Sequence, residues 1–264
     1  LAELLGAKPS ELIFTSGGSE GNNMVLRQLL CREDPGHLLV SSVEHPSVLE
    51  TAKWLTRKNN LSLGILPVDQ SGKVLEASME VAAQPETCLI SVMAANNETG
   101  TVQPFRELAR IARERQVPFH SDCVQYAGKC ELDLESSGLN YATLTAHKLG
   151  GPKGIGLLYI REGSPFSPLI TGGGQERSLR AGTENVAMAF AFAECFEWFC
   201  SNRSELESRW LVLRKKLLDS LEDVEHCFVL GTPDESLPNT LNLGFQGISA
   251  ESLLICLDLD GIAV

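Results

Sequence analysis

Lys148 stands in the run Thr143-Leu144-Thr145-Ala146-His147-Lys148-Leu149-Gly150-Gly151-Pro152, after an apolar stretch and at the start of a glycine-rich loop. A lysine at the end of a buried strand can lose its proton and serve as a nucleophilic amine, which Schiff-base chemistry requires. Taken alone, such a lysine is more often a solvated loop residue, so its company decides. In Phe119-His120-Ser121-Asp122-Cys123-Val124-Gln125, Asp122 sets a carboxylate at a second strand end. It can pair with a protonated ring nitrogen of a cofactor or simply cap a helix. His45, in Glu44-His45-Pro46, can stack on a flat aromatic ligand or be a satisfied structural histidine. Asn96-Asn97-Glu98-Thr99-Gly100 closes another strand with amides and a hydroxyl.

A further motif, Thr15-Ser16-Gly17-Gly18-Ser19-Glu20-Gly21-Asn22-Asn23, follows Leu12-Ile13-Phe14 and opens a helical pattern. Free N–H groups and the positive end of a helix dipole make such a turn an anion site, and a phosphate fits there. An ordinary glycine turn with a serine cap has the same look. Gly17-x-Ser19-x-Gly21 also matches the nucleophile elbow of α/β-hydrolases, with Ser19 as nucleophile and Asp122 and His147 as partners. Against that reading, almost no chain precedes Ser19 to supply the earlier strands and the oxyanion loop.

These groups need a scaffold that brings strand ends together. Apolar runs alternate with amphipathic stretches, the pattern of an α/β protein with a largely parallel sheet. Strands are expected over 12–14, 37–42, 61–66, 88–93, 117–121, 141–145 and 155–160. Pro46 and Pro104 suit first helical positions, with Leu49, Ala52 and Leu55, or Leu108, Ile111 and Ala112, as apolar stripes. Val68-Asp69-Gln70-Ser71-Gly72 reads as a turn. A long helical pattern over 184–221, broken near Ser201-Asn202, precedes strands over 227–230 and 240–243 and a helix from Ala250. Ligands of such sheets sit at the carboxyl ends of the strands, where the amide run, Asp122, His45 and Lys148 all fall.

The chain has 264 residues, 43% of them hydrophobic, enough for a sizeable core. With 34 acidic against 22 basic residues the net charge is -12, which argues against nucleic acid or an anionic membrane as partner. Neither a membrane span nor a signal peptide is evident, so a cytoplasmic protein is expected. Eight cysteines contain no Cys-x-x-Cys pair, and neither a disulfide framework nor a metal site is expected.

Through the motifs quoted, together with Gly172-Gly173-Gly174-Gln175-Glu176-Arg177 and Arg180-Ala181-Gly182-Thr183-Glu184-Asn185, the chain resembles the cysteine desulfurases and selenocysteine lyases. These are pyridoxal-phosphate enzymes of the class V aminotransferase group. The resemblance implies fold type I: a large domain (1–200) whose mainly parallel mixed sheet is sandwiched by helices, and the beginning of a small α+β domain (201–264). It implies that Lys148 forms the Schiff base with pyridoxal 5'-phosphate, that Asp122 pairs with the pyridine nitrogen, and that His45 stacks on the ring and moves protons. Asn97 and Gln125 would address the phenolic oxygen. Gly18, Ser19, Thr145 and His147 would hold the phosphate, and Thr183 would reach the phosphate of a neighbouring subunit, which makes a homodimer the expected assembly.

The activity implied is conversion of L-cysteine to L-alanine, with sulfur passed to an enzyme cysteine and on to an acceptor protein. Its setting would be sulfur metabolism and iron–sulfur cluster assembly. Selenocysteine as substrate, another class V reaction, a Ser19 hydrolase and a non-catalytic cofactor-binding scaffold stay open. Gly18-Ser19 stands where the family usually has alanine and threonine, Thr145 where it has serine, and Cys123-Val124 is less usual. The loop with the catalytic cysteine and the arginine for the substrate carboxylate are expected to lie outside this chain, as is the family's initial segment. None of the eight cysteines is assigned the catalytic role, and the activity of this stretch alone stays open.

Overall fold

The computed structural model describes residues 1–31, 34–58 and 60–264. In chain order the elements are β1 (Leu12–Thr15), α1 (Gly18–Arg27), β2 (Gly36–Ser41), α2 (Pro46–Lys58), β3 (Leu61–Leu66), α3 (Glu76–Ala82), β4 (Thr87–Ser91) and α4 (Phe105–Glu114). They continue with β5 (Phe119–Asp122), α5 (Leu134–Ser137), β6 (Tyr141–Thr145), β7 (Gly156–Ile160), α6 (Val186–Ser220), β8 (Cys227–Leu230), β9 (Asn242–Phe245) and α7 (Ala250–Leu259).

Seven strands form one sheet in the order β1-β7-β6-β5-β4-β2-β3. β7 pairs antiparallel with both β1 and β6, and the remaining pairings are parallel. This is the mainly parallel mixed sheet expected. Every residue of β2, β5, β6 and β7 is buried, because helices cover both faces and leave no polar side to alternate with. On one face, Met24, Val25, Val48, Ala52 and Leu55 of α1 and α2 pack on Ile13, Leu38, Val40 and Leu158. On the other, Phe105, Leu108 and Ile111 of α4 and Phe192 and Phe196 of α6 pack on Leu39, Ile90, Leu144 and Leu157. Leu38 and Leu39 thus feed opposite layers, as the two-residue period of a strand dictates.

After β3 at the edge the chain crosses back to place β4 on the other side of β2. Connections leave the carboxyl ends of β2 and β4 in opposite directions there, and a crevice opens between them. The segment after α6 forms a separate two-stranded antiparallel sheet of β8 and β9. It is tied to the loop after β4 by Val102 N donating to Glu235 O at 3.0 Å and Leu237 N donating to Gly100 O at 2.8 Å.

Two expectations need correction. The helix expected to break near Ser201-Asn202 is continuous from Val186 to Ser220. Asn202 Nδ2 donates to Trp198 O at 2.8 Å, so its side chain bonds back along the helix instead of capping a new one. Pro104 is the residue before α4 and not its first member, whereas Pro46 does open α2. Among the described residues, no helix is long and apolar enough to cross a membrane.

Candidate active site

Buried strands deliver the reactive groups to one place. β6 ends at Thr145, and a single 3-10 turn, Ala146–Leu149, carries His147 and Lys148 out of the sheet. β5 ends on Asp122, which is only 5% exposed. α1 starts at Gly18, directly after β1. A cavity of about 230 Å³ lies at these ends. It is lined by Gly18, Ser19, His45, Asn97, Asp122, Gln125, Thr145, His147 and Lys148, nine of the ten expected site residues. Thr183 does not line it and is exposed.

Asp122 is held through both oxygens. Asn22 Nδ2 donates to Oδ2 at 2.7 Å, and the Val124 amide donates to Oδ1 at 3.0 Å. Burial pushes its carboxyl above the ordinary range, opposed by those two bonds and by His45. No cation lies within ion-pair distance of it among the described residues. A ligand with a protonated nitrogen would complete it.

The same Asn22 amide donates to Ser47 Oγ at 2.8 Å, and Ser47 faces His45. The Ser47 N–H donates to His45 Nδ1 at 3.1 Å, with Ser47 Oγ at 2.8 Å from the same atom. A backbone N–H can only donate, so Nδ1 carries the lone pair and the neutral ring keeps its proton on Nε2. His147 has the opposite arrangement. Thr145 Oγ1 gives its hydrogen to Ile155 O at 3.1 Å and therefore accepts from His147 Nδ1 at 2.9 Å. Partial burial and the charges of Lys148 and Lys153 hold the His147 imidazole below its usual range.

This wiring leaves the hydrolase reading without its triad. His147 Nδ1 is engaged by Thr145 and Asp122 by Asn22 and Val124, and among the described residues Ser19 Oγ has no hydrogen bond to either partner. Gly18 and Gly21 show what α1 is built for. A β-carbon at Gly21 would lie 2.8 Å from Thr143 Cγ2, so only glycine lets the helix lie this close to β6. A β-carbon at Gly18 would lie 3.0 Å from Val124 Cγ2. The two departures noted at Gly18 and Val124 are therefore neighbours that fit one another.

Three lining residues received no role from the sequence, Asn22, Ser47 and Met93, and the fourth, Val124, was noted only as an unusual neighbour of Asp122. Asn22 lies four residues after Gly18, which puts the two on one side of α1, but that spacing does not reveal its partner Asp122; Met93 carries no signal. Two further groups sit behind the lining. Glu44 Oε1 accepts from Ser41 Oγ at 2.6 Å and from the Met93 amide at 2.7 Å, while its buried Oε2 has no partner among the described residues. Burial, with a contribution from Asp122, pushes its carboxyl up to about 8. Lys129 Nζ donates to Gln125 Oε1 at 2.8 Å, and burial, reinforced by Lys148, lowers its ammonium to about 8.

The segment with Thr183 is ordered by other means. Glu176, Arg177 and Ser178 take left-handed backbone angles, φ 44°, 57° and 64°, which non-glycine residues rarely adopt. Arg177 Nη2 donates to Leu12 O at 2.6 Å, and Arg180 grips Glu20 of α1 through Nε at 2.8 Å and Nη2 at 3.2 Å. The segment is thereby pinned to β1 and α1.

The family Aminotransferase class-V matches residues 1–264. The chain belongs to this family. Within the class-V aminotransferases it is similar to the cysteine desulfurase IscS of Methanosarcina thermophila, 39% identical over 263 residues, covering 99% of this chain and 65% of that protein. The chain therefore spans about two thirds of that relative's length. Among solved structures it superposes on a NifS-like protein with a TM-score of 0.96 at 38% identity, covering all of this chain and 73% of the other. SspA in complex with cysteine gives a TM-score of 0.81 at 32% identity over 98% of this chain and 72% of that one. The fold is the fold type I that the motifs implied, and the resemblance drawn from them holds along the whole length.

Proposed function

We propose that this chain is the cofactor-binding part of a pyridoxal-phosphate-dependent cysteine desulfurase, which removes sulfur from L-cysteine and leaves L-alanine. The observation that carries the reading is a buried carboxylate with no cation in ion-pair distance among the described residues, an amine on a strand-end turn and a glycine-serine helix start, all lining one cavity. That donor set fits the cofactor part by part. Asp122 suits a protonated ring nitrogen, Lys148 an aldehyde carbon, and the α1 start with Gly18 and Ser19 a phosphate. When bound, pyridoxal phosphate supplies an electron sink for the substrate's Cα.

The chain's own residues do the rest. Lys148 Nζ would hold the cofactor covalently and, when free, would be an amine placed to move protons at the substrate. Asp122 keeps the ring nitrogen protonated. His45 would stack on the ring, with the proton of its neutral imidazole on Nε2, the nitrogen turned away from Ser47. Asn97 and Gln125 address the ring oxygen, and Thr145 and His147 close the phosphate end.

Residues 1–200 would form the large domain and 201–264 belong to a smaller one. Thr183 would complete the site of a second copy in a cytoplasmic homodimer that hands sulfur to an acceptor protein. Cysteine is favoured over selenocysteine by the cysteine bound to SspA. None of the eight cysteines lines the cavity. Cys123, nearest in sequence to Asp122, is buried with its thiol pushed up to about 12, the opposite of a nucleophile. The proposal therefore assigns none of them the sulfur-accepting role.

Reconstitution with pyridoxal phosphate tests the reading. The wild type is expected to turn yellow and, after borohydride reduction and unfolding, to keep the cofactor on Lys148 by peptide mass. Lys148→Ala is expected to retain none covalently. A wild type that stays colourless at saturating cofactor would refute the assignment.

A further inference from the structure

Lys129 is 7% exposed, yet among the described residues no carboxylate lies within ion-pair distance of it. Its side chain makes one hydrogen bond, from Nζ to Gln125 Oε1 at 2.8 Å. The titratable groups that face it are Lys148, whose charge repels it, and Cys130. Neither family motif nor strand-end logic gives this lysine a task.

Its chemistry nevertheless dictates the state of a neighbour that has one. An ammonium holds only donors, so the Gln125 atom beside it must be the amide oxygen. A side-chain amide is planar with oxygen and nitrogen at opposite corners, so fixing one fixes the other. Gln125 lines the cavity, and its Nε2 has no protein acceptor among the described residues. We propose that Lys129 is a positioning residue that locks Gln125 with its NH₂ group as a hydrogen-bond donor toward the cavity.

The inference rests on the pyridoxal-phosphate reading, in which Gln125 addresses the ring oxygen. The locked orientation presents N–H to that oxygen, and the reverse would present a second oxygen and repel it. A donor on an oxygen anion stabilises the anion and opposes a proton held on the adjacent nitrogen. Loss of the lock therefore moves the pH midpoint of the bound cofactor's visible absorbance upward.

The experiment uses the chain loaded with pyridoxal phosphate and compares wild type, Lys129→Met, Lys129→Arg, Gln125→Ala and the double variant Lys129→Met/Gln125→Ala. Lys129→Met is expected to raise the absorbance midpoint by about one pH unit and to weaken cofactor affinity about threefold to tenfold. Lys129→Arg, still an obligate donor, should stay within about 0.3 unit of wild type. In the Gln125→Ala background, Lys129→Met should add less than about 0.3 unit, because both changes break one interaction.

An unchanged midpoint in Lys129→Met overturns the proposal, and so does a full shift that persists without Gln125. Should Lys129→Met fail to fold, Lys129→Gln takes its place with the same upward shift expected, since an amide accepts as readily as it donates. A wild type that never colours refutes the cofactor reading instead, so the two failures are distinguishable.

Discussion

The carboxyl edge of β5 and β6 and the stretch from α6 to α7 hold their apolar residues in opposite ways. β5 and β6 contain no residue that is not buried. α6 buries only Phe192 and Phe196 among its 35 residues, and α7 buries none, with Leu259 at 81% exposure. In the first region each side chain is enclosed by neighbours on both sheet faces, so backbone and rotamer have one solution. In the second, local hydrogen bonds and helix propensity carry the form. Asp122 and Lys148 stand on the first region. Precision at the cavity comes from burial beneath it, not from hydrogen bonds within it alone.

That contrast can be broken by substitution. Phe119→Ala, in β5 and fully buried, should cost about 3–5 kcal/mol in urea unfolding. A cost below about 1 kcal/mol would mean that β5 is not the rigid base of Asp122.

Glu44 offers a sharper probe, because its carboxyl titrates near 8 when folded and near 4.5 otherwise. Between those values the folded chain binds a proton that the unfolded chain has released, so stability contributed by Glu44 falls as pH rises. The slope is at most about 1.4 kcal/mol per pH unit. Glu44→Gln should remove that slope, read as the difference between the two proteins' stability-versus-pH curves. Parallel curves would place Glu44 in a solvated setting and weaken the account of a dry floor under the site.

The smallest effect belongs to α6. Val212→Ala, at 67% exposure, should change stability by no more than about 0.5 kcal/mol, since alanine is the better helix former. A loss above about 1 kcal/mol would show that this face is covered in solution.

Much of the scaffold was legible because period and punctuation are local. β3, β6 and β8 coincide at both ends with the expected strands, since apolar runs bounded by turn residues leave little choice. β9 begins two residues later than expected, a boundary that pairing with β8 decides. The unbroken α6 was missed because Ser201 and Asn202 resemble a helix stop until Asn202 is seen bonding to Trp198. The cavity's named residues were legible because they cluster at strand ends. Asn22 was not, because its partner Asp122 is 100 positions away. Glu44 was equally hidden, its partner amide at Met93 lying 49 positions off.

The order of residues by itself determined which strands and helices form and which amines, carboxylates and hydroxyls end up at their tips, since those follow from spacing along the chain. Only the tertiary structure decided that a neutral His45 carries its proton on Nε2, that Asp122 has no cation within ion-pair distance among the described residues, and that Lys129 faces the oxygen of Gln125. Protonation and orientation depend on burial and on hydrogen-bond partners, and those exist only once distant segments are packed together.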